Sequence, residues 1–277
     1  QGLDSAVQAA HQIATYTEQD RFQGLPDKDW LADHFRQDLG IEHGWPLNIE
    51  QAIVEARMAE AQAMAYDDKI QNSEGFSIDN YQTQRGLMNS HGFSGSYGTS
   101  RHGVSCCVVA KNNDQMQRQY AYSTARSPQD LMPMPQVAKL SAERALAALG
   151  AQSVGTCQVP VLFDARVSRS LISHFLTAIT GSQLYQKSSF LVDSLGEQIF
   201  PSWFSIEEDP FLLKGLCSVP YDQEGVACQP RFLIDQGLVT GYLLSTYSAR
   251  RLGMASTGNA GGHHNIVVGA NATDHTE

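Results

Sequence analysis

The spacing of apolar positions changes along the chain, and each change marks a structural boundary. Ala6, Ala9, Ala10, Ile13 and Tyr16 fall on one stripe of a helix over residues 4–16, with Asp4 or Ser5 as its cap. Residues 18–47 lose that period, and Pro26, Trp30, Gly44, Trp45 and Pro46 predict a wrapped loop or linker. Asn48 followed by Gln51 is a capping-box pattern, after which Ala52, Ile53, Ala56, Ala59, Ala63 and Met64 recur at helical spacing. From about residue 69 to 125 the period is two. Ser73-Glu-Gly75, Asn89-Ser-His-Gly92 and Asn112-Asn-Asp114 read as turns between short strands. The last of these makes a hairpin of His102–Lys111 and Met116–Arg126. Dense glycine in the same region predicts a strongly bent antiparallel sheet.

Helical spacing returns at Pro135–Leu149, which Gly150 ends. Val159–Phe163 reads as a buried strand. Asp164 caps a helix over 164–180 with Val167, Leu171, Phe175 and Ala178 as its stripe, and a helix-like stretch continues to about 195. Pro230–Ile234, the turn Asp235-Gln-Gly237 and Leu238–Leu244 predict a second hairpin. The expected fold class is α+β, with mixed helices, a bent antiparallel sheet and hairpins.

Composition narrows the function classes. A chain of 277 residues with 42% apolar and 17% charged residues has material for one large domain or two ordinary ones. The formal net charge of −10 disfavours direct binding of nucleic acid or of an anionic membrane surface. No run of about 18 apolar residues is present to span a bilayer. The N-terminus is neither basic nor followed by an apolar stretch, so no signal peptide is expected. It also lacks an initiator Met. It reads as the middle of a helix, as expected of a piece of a longer protein. The five cysteines form no C-x-x-C, and the adjacent Cys106 and Cys107 of a strand point to opposite faces. A reducing cytoplasm is therefore expected, and the sequon Asn271-Ala-Thr273 carries no meaning there.

Candidate chemistry is sparse. His263-His264 beside glycines could serve a metal or a proton transfer, but paired surface histidines are the preferred reading. Glu207-Glu208-Asp209 reads as a solvated turn, and Arg101-His102 as a solvated strand edge. Lys187 beside Ser188-Ser189 has the wrong spacing for a Ser/Lys hydrolase. Neither glycine-rich nucleotide motif is present. His174 lies on the helix 164–180, without the second histidine and glutamate of a zinc peptidase.

Several ordered segments nonetheless resemble the TldD/PmbA family, and its PmbA (TldE) branch in particular. They are Tyr185-x-Lys187-Ser-Ser-Phe190-Leu-x-Asp193-Ser-Leu-Gly196, Ile206-Glu-Glu-x-Pro210 and Leu212-Leu-Lys-Gly-Leu216. Asp222-x-Glu224-Gly-Val226, Ser248-Ala-Arg-x-Leu-Gly253 and Ser256-Thr-Gly-Asn-Ala-Gly-Gly-x-His264-Asn265 follow. The resemblance covers most of 50–265, with a thinner likeness at 1–17. It implies that residues 1–125 are the remainder of an N-terminal α/β domain and that 126–277 begin a β-rich C-terminal domain carrying the helix 164–180.

In the TldD branch this helix carries H-E-x-x-x-H, the zinc-binding and catalytic motif. The resemblance places Ser173, His174 and Ala178 at those three positions. Serine is a poor zinc ligand, alanine offers none, and histidine cannot replace the glutamate base. The family's further cysteine ligand would fall beyond Glu277. The implication is a chain without zinc or catalytic residues of its own. It would pair with a zinc-holding TldD-type subunit, or with itself, in a cytoplasmic complex that cleaves peptides. Maturation of a peptide antibiotic and degradation of an antitoxin are the implied roles. His174, Gly261, Gly262 and His264 are the expected substrate- or partner-facing positions. The competing expectations are a protein-binding modulator of DNA gyrase without proteolysis, and an independent hydrolase using His174 or His263-His264.

Overall fold

A computed structural model describes residues 2–32 and 37–270. The chain begins with helix α1 (Gly2–Tyr16), followed by the turn-rich segment expected from the sequence. Helix α2 (Ile49–Met64) starts at the anticipated capping box, with both reciprocal Asn48–Gln51 bonds formed. Strands β1 (Ile70–Met88), β2 (Ser94–Asn112) and β3 (Gln115–Ala125) build an antiparallel sheet in the order β1-β2-β3. Ser73-Glu-Gly75 does not end a strand, as a turn would. It is a bulge inside β1, where the register shifts and Gly75 takes φ +111°.

Period two in β2 places Val104, Cys106, Val108 and Ala110 inside. Helices α2 and α3 (Met134–Ala147) cover that face with Ala59, Ala63, Ala138, Ala142 and Ala145, whose small side chains allow close approach. Helix α3 follows the expected division at 125/126, yet it packs on β2 and β3 and completes the first core.

The second core gathers α4 (Ala165–Ala178), α5 (Gly181–Tyr185) and α6 (Thr246–Leu252) with a second antiparallel sheet. That sheet has the order β6-β5-β4-β7, from β4 (Phe204–Asp209), β5 (Arg231–Asp235), β6 (Leu238–Val239) and β7 (Asn265–Ala270). Phe175, Leu176, Ile179, Ile206, Leu233 and Leu244 form its centre. The β5–β6 hairpin turns at Gln236-Gly237, both at positive φ.

Two expected features differ. Val159–Phe163 is neither a strand nor buried, and Leu162 is 98% exposed, because no described strand pairs with this run. In α4 only the C-terminal part of the stripe is buried; Val167 and Leu171 are exposed. The stripe of α1 is likewise uncovered among the described residues.

The segment before α2 straps the two halves together. Ala32 donates to the Gly225 carbonyl, and the Ala227 amide donates to the Trp30 carbonyl. Further on, Ser100 donates to Ile41 and Lys214 to Leu39, so residues 39–41 bond to both β2 and the loop after β4. This sandwiching brings the outer half of the β1–β2 hairpin against residues 215–223.

Candidate binding cleft

A cleft of about 540 Å³ opens where the outer β1–β2 hairpin meets the loops 215–223 and 260–264. Its floor is one face of the two strands. The register pairs Tyr81 with Arg101, Thr83 with Thr99 and Arg85 with Tyr97, so alternate residues of both strands point the same way. The opposite wall includes Cys217, Tyr221, Asp222 and Gly261–His264. Gly261 and Gly262 have φ +101° and +113°, and a Cβ on Gly261 would meet the Gln223 side chain at 2.5 Å. Glycine therefore lets this wall close on its neighbour. A larger cavity of about 860 Å³ adjoins the cleft across Tyr97 and Tyr221.

The cleft is basic in an acidic chain. Arg126, just after β3, is buried and spans the two halves. Its guanidinium donates to the carbonyls of Ser100 (2.8 Å), Gly215 (3.2 Å) and Leu216 (2.5 Å). Burial first, and then the charges of Arg85 and Arg101, pull it below the usual arginine range. Arg85 and Arg101 are exposed at the floor. The one carboxylate of the lining, Asp222, is turned to the backbone. It accepts amide hydrogens from Glu224, Val226 and Ala260, each at 2.9 Å. Burial outweighs these bonds and raises its carboxyl above the ordinary value. Burial also raises the phenols of Tyr97 and Tyr221, so both rings stay neutral.

Behind the far wall lies a polar network. Glu208 of β4 is paired with Arg231 of β5, and its other oxygen accepts from Asn259 Nδ2 (2.7 Å) and the His264 amide (2.8 Å). Arg231 also donates to Asn259 and to the Tyr242 carbonyl. His264 is buried, with Nε2 at 2.8 Å from the Gly258 carbonyl. The network fixes the glycine-rich loop over the cleft.

The expected positions separate. Gly261, Gly262 and His264 line the cleft; Ser173, His174 and Ala178 do not. Ser173 and His174 are exposed on α4, where Ser173 Oγ caps the Arg169 carbonyl, and Ala178 points into the second core. Three bland readings need correction. Glu207–Asp209 is strand rather than solvated turn, because Glu208 finds a cross-strand arginine. His102 is fully buried in mid-strand, edge-on to Trp45 at 5.4 Å and bonded to the His43 carbonyl. Of the two adjacent histidines only His263 is exposed. Arg85, Tyr97 and Arg126 were not anticipated. The signal for the floor was there, in Tyr81-x-Thr-x-Arg85 and Tyr97-x-Thr-x-Arg101.

Among the described residues no group of three His, Cys, Asp or Glu side chains is placed to hold a metal ion. Ser173, His174 and Ala178 on α4 do not fit zinc. Nor is any described helix long and apolar enough to cross a membrane.

The fold is of the α+β class, with two cores. Residues 42–149 match the family model of the PmbA/TldA metallopeptidase central domain, and residues 156–277 that of the PmbA/TldA metallopeptidase C-terminal domain. The chain belongs to the PmbA/TldD family. It is 43% identical to the metalloprotease PmbA of Escherichia coli O157:H7, over 96% of this chain and 59% of that protein. It is 41% identical to the Haemophilus influenzae metalloprotease PmbA homolog, over 98% of this chain and 60% of that one. It thus spans about three-fifths of the length of these curated relatives. Its fold matches a candidate modulator of DNA gyrase from Bacteroides thetaiotaomicron, with TM-score 0.90 and 24% identity over 96% of this chain and 61% of that one. It also matches TldE from Thermococcus kodakarensis, with TM-score 0.78 and 19% identity over 95% of this chain and 61% of that one.

Proposed function

We propose that this chain is the PmbA/TldE-type, non-catalytic subunit of a cytoplasmic peptide-processing complex. A TldD-type partner holds the zinc and cleaves the peptide, and this chain completes the chamber and contacts the substrate. The carrying observation is α4. Where the TldD branch has H-E-x-x-x-H, this helix turns Ser173 and His174 to solvent and spends Ala178 on core packing. The basic cleft supplies a surface for substrate that needs no catalytic group. Self-association is the outcome if no TldD-type subunit binds.

The test is to purify the full-length protein alone and with a TldD-type subunit, measuring bound zinc and cleavage of an unstructured peptide. Zinc and cleavage are expected only when the partner is present. One zinc per chain in the isolated protein, lost on His174→Ala, would overturn the reading.

A further inference from the structure

Among the described residues, Arg85, Arg101 and Arg126 have no carboxylate within ion-pair distance. Other described arginines, such as Arg57 and Arg169, also lack one; what distinguishes these three is that they line one cleft whose single carboxylate is turned away from them. The three guanidiniums share one cleft, and Arg126 spends three of its five N–H donors on carbonyls. Asp222, which could have neutralised them, is held by three backbone amides instead. The floor also offers Tyr81 and Tyr97 and a cross-strand Thr83–Thr99 pair along one face of the two strands, a strip suited to an extended segment.

We infer that this cleft binds carboxylates of a peptide laid along the β1–β2 face, with Arg85 and Arg101 as the contacting cations. Guanidinium matches carboxylate in fork geometry, and the phenols pack the intervening chain. A long phosphate polymer is disfavoured, because the chain as a whole carries a net charge of −10. The carboxylate can come from an acidic side chain or from a free C-terminus. This inference rests on the peptide-handling reading above but concerns binding by this subunit alone.

The experiment titrates the full-length protein, without a TldD-type subunit, with three fluorescent unstructured peptides. One has acidic side chains and an amidated C-terminus, one is neutral with a free C-terminus, and one is neutral and amidated. At least one of the first two should bind about tenfold more tightly than the third, with the advantage shrinking as salt rises. Which of them binds identifies the source of the carboxylate. The double variant Arg85→Gln/Arg101→Gln should lose that advantage while keeping its melting temperature, and Arg85→Lys/Arg101→Lys should retain part of it. Equal affinity for all three peptides, no loss in the glutamine variant, or tighter binding of a single-stranded oligonucleotide of equal charge would each overturn it. Any of these results alongside partner-dependent zinc and cleavage would sink the cleft assignment and leave the subunit reading standing.

Discussion

Glu208 and Arg231 face each other across the β4–β5 ladder and meet at 3.0 Å, with the Glu208 side chain 1% exposed. The pair is more than a strand contact. Glu208 also holds the Asn259 side chain and the His264 amide, so one buried carboxylate ties a central strand to the glycine-rich wall of the cleft.

Breaking this pair from one side should be costly. Glu208→Ala leaves the partly buried Arg231 guanidinium without its counter-charge and takes an acceptor from the Asn259 side chain and the His264 amide, and we expect a loss of about 3 kcal/mol in urea unfolding at neutral pH. Glu208→Gln should lose less, since one oxygen still accepts. In a double-mutant cycle with Arg231→Met, the second change should cost much less in the Glu208→Ala background. A loss below about 1 kcal/mol for Glu208→Ala would show that water compensates the pair.

The hairpin after β5 depends on one glycine. Gly237 has φ +80°, and a Cβ there would stand 2.1 Å from the Phe200 carbonyl oxygen. Strain and clash act together, so Gly237→Ala should destabilise by about 2 kcal/mol or more. Gly150 also has positive φ but nothing within 4 Å of its Cβ position, so Gly150→Ala should cost only the strain, about 1 kcal/mol. Equal costs at the two positions, by thermal or urea unfolding, would refute the steric part of the argument.

These positions show what the sequence could and could not reveal. The Asn48–Gln51 box, the Asp164 cap and the turn at Asn89–Gly92 were legible because each joins a side chain to nearby backbone, and the turn at Asn112–Asp114 because Asn113 accepts a positive φ. Glu208 was not, since its neighbours in sequence are acidic and its partner lies 23 positions away on another strand. The Val159–Phe163 run was misread for a related reason. An apolar run signals burial only if something covers it, and no described element does. Of the residues lining the candidate cleft, Gly261, Gly262 and His264 fall in a segment that carries the family likeness. Arg126 was not legible, because only the meeting of two halves makes it part of a cleft.

Cysteine reactivity should sort by burial. Cys106 and Cys228 are buried, and burial pushes both thiols up, Cys228 furthest. Cys157 and Cys217 are exposed. With a maleimide at neutral pH, Cys157 and Cys217 should label quickly and Cys106 and Cys228 only on unfolding, as read by peptide mass mapping. Rapid labelling of Cys228 would contradict the packing behind the 256–262 loop. Bulky labelling of Cys217, which lines the cleft, should also weaken peptide binding.

Asp222 gives the pH dependence a definite sign. Burial raises its folded value above the ordinary 3.8 despite three amide donors. The folded state therefore holds this proton more readily than the unfolded chain. Its contribution to stability is fully present below the unfolded value and is lost as pH rises through the higher folded value. A carboxyl-carbon NMR titration should find Asp222 titrating above 3.8, while Asp164, held by Arg166, titrates below it. An Asp222 midpoint at or below 3.8 would mean that the amide bonds outweigh burial.

Restoring the zinc motif on α4 tests the non-catalytic reading most directly. Ser173→His and His174→Glu fall on exposed positions, and the double variant should stay within about 0.5 kcal/mol of the parent. Ala178→His is different. Ala178 packs among Phe175, Ile179 and the second sheet, so an imidazole there is both too large and without an evident polar partner. We expect it to cost about 2 kcal/mol or more. The helix would then carry two histidines of which one can point outward only by distorting the core. A catalytic zinc site needs three protein ligands and partners that orient them, and among the described residues no cluster offers a third. The triple variant of the full-length protein should therefore be less stable than the double variant and bind zinc weakly at most, with no cleavage of an unstructured peptide. Tight zinc binding with chelator-sensitive turnover would show that only the motif residues were missing, and the non-catalytic reading would fail.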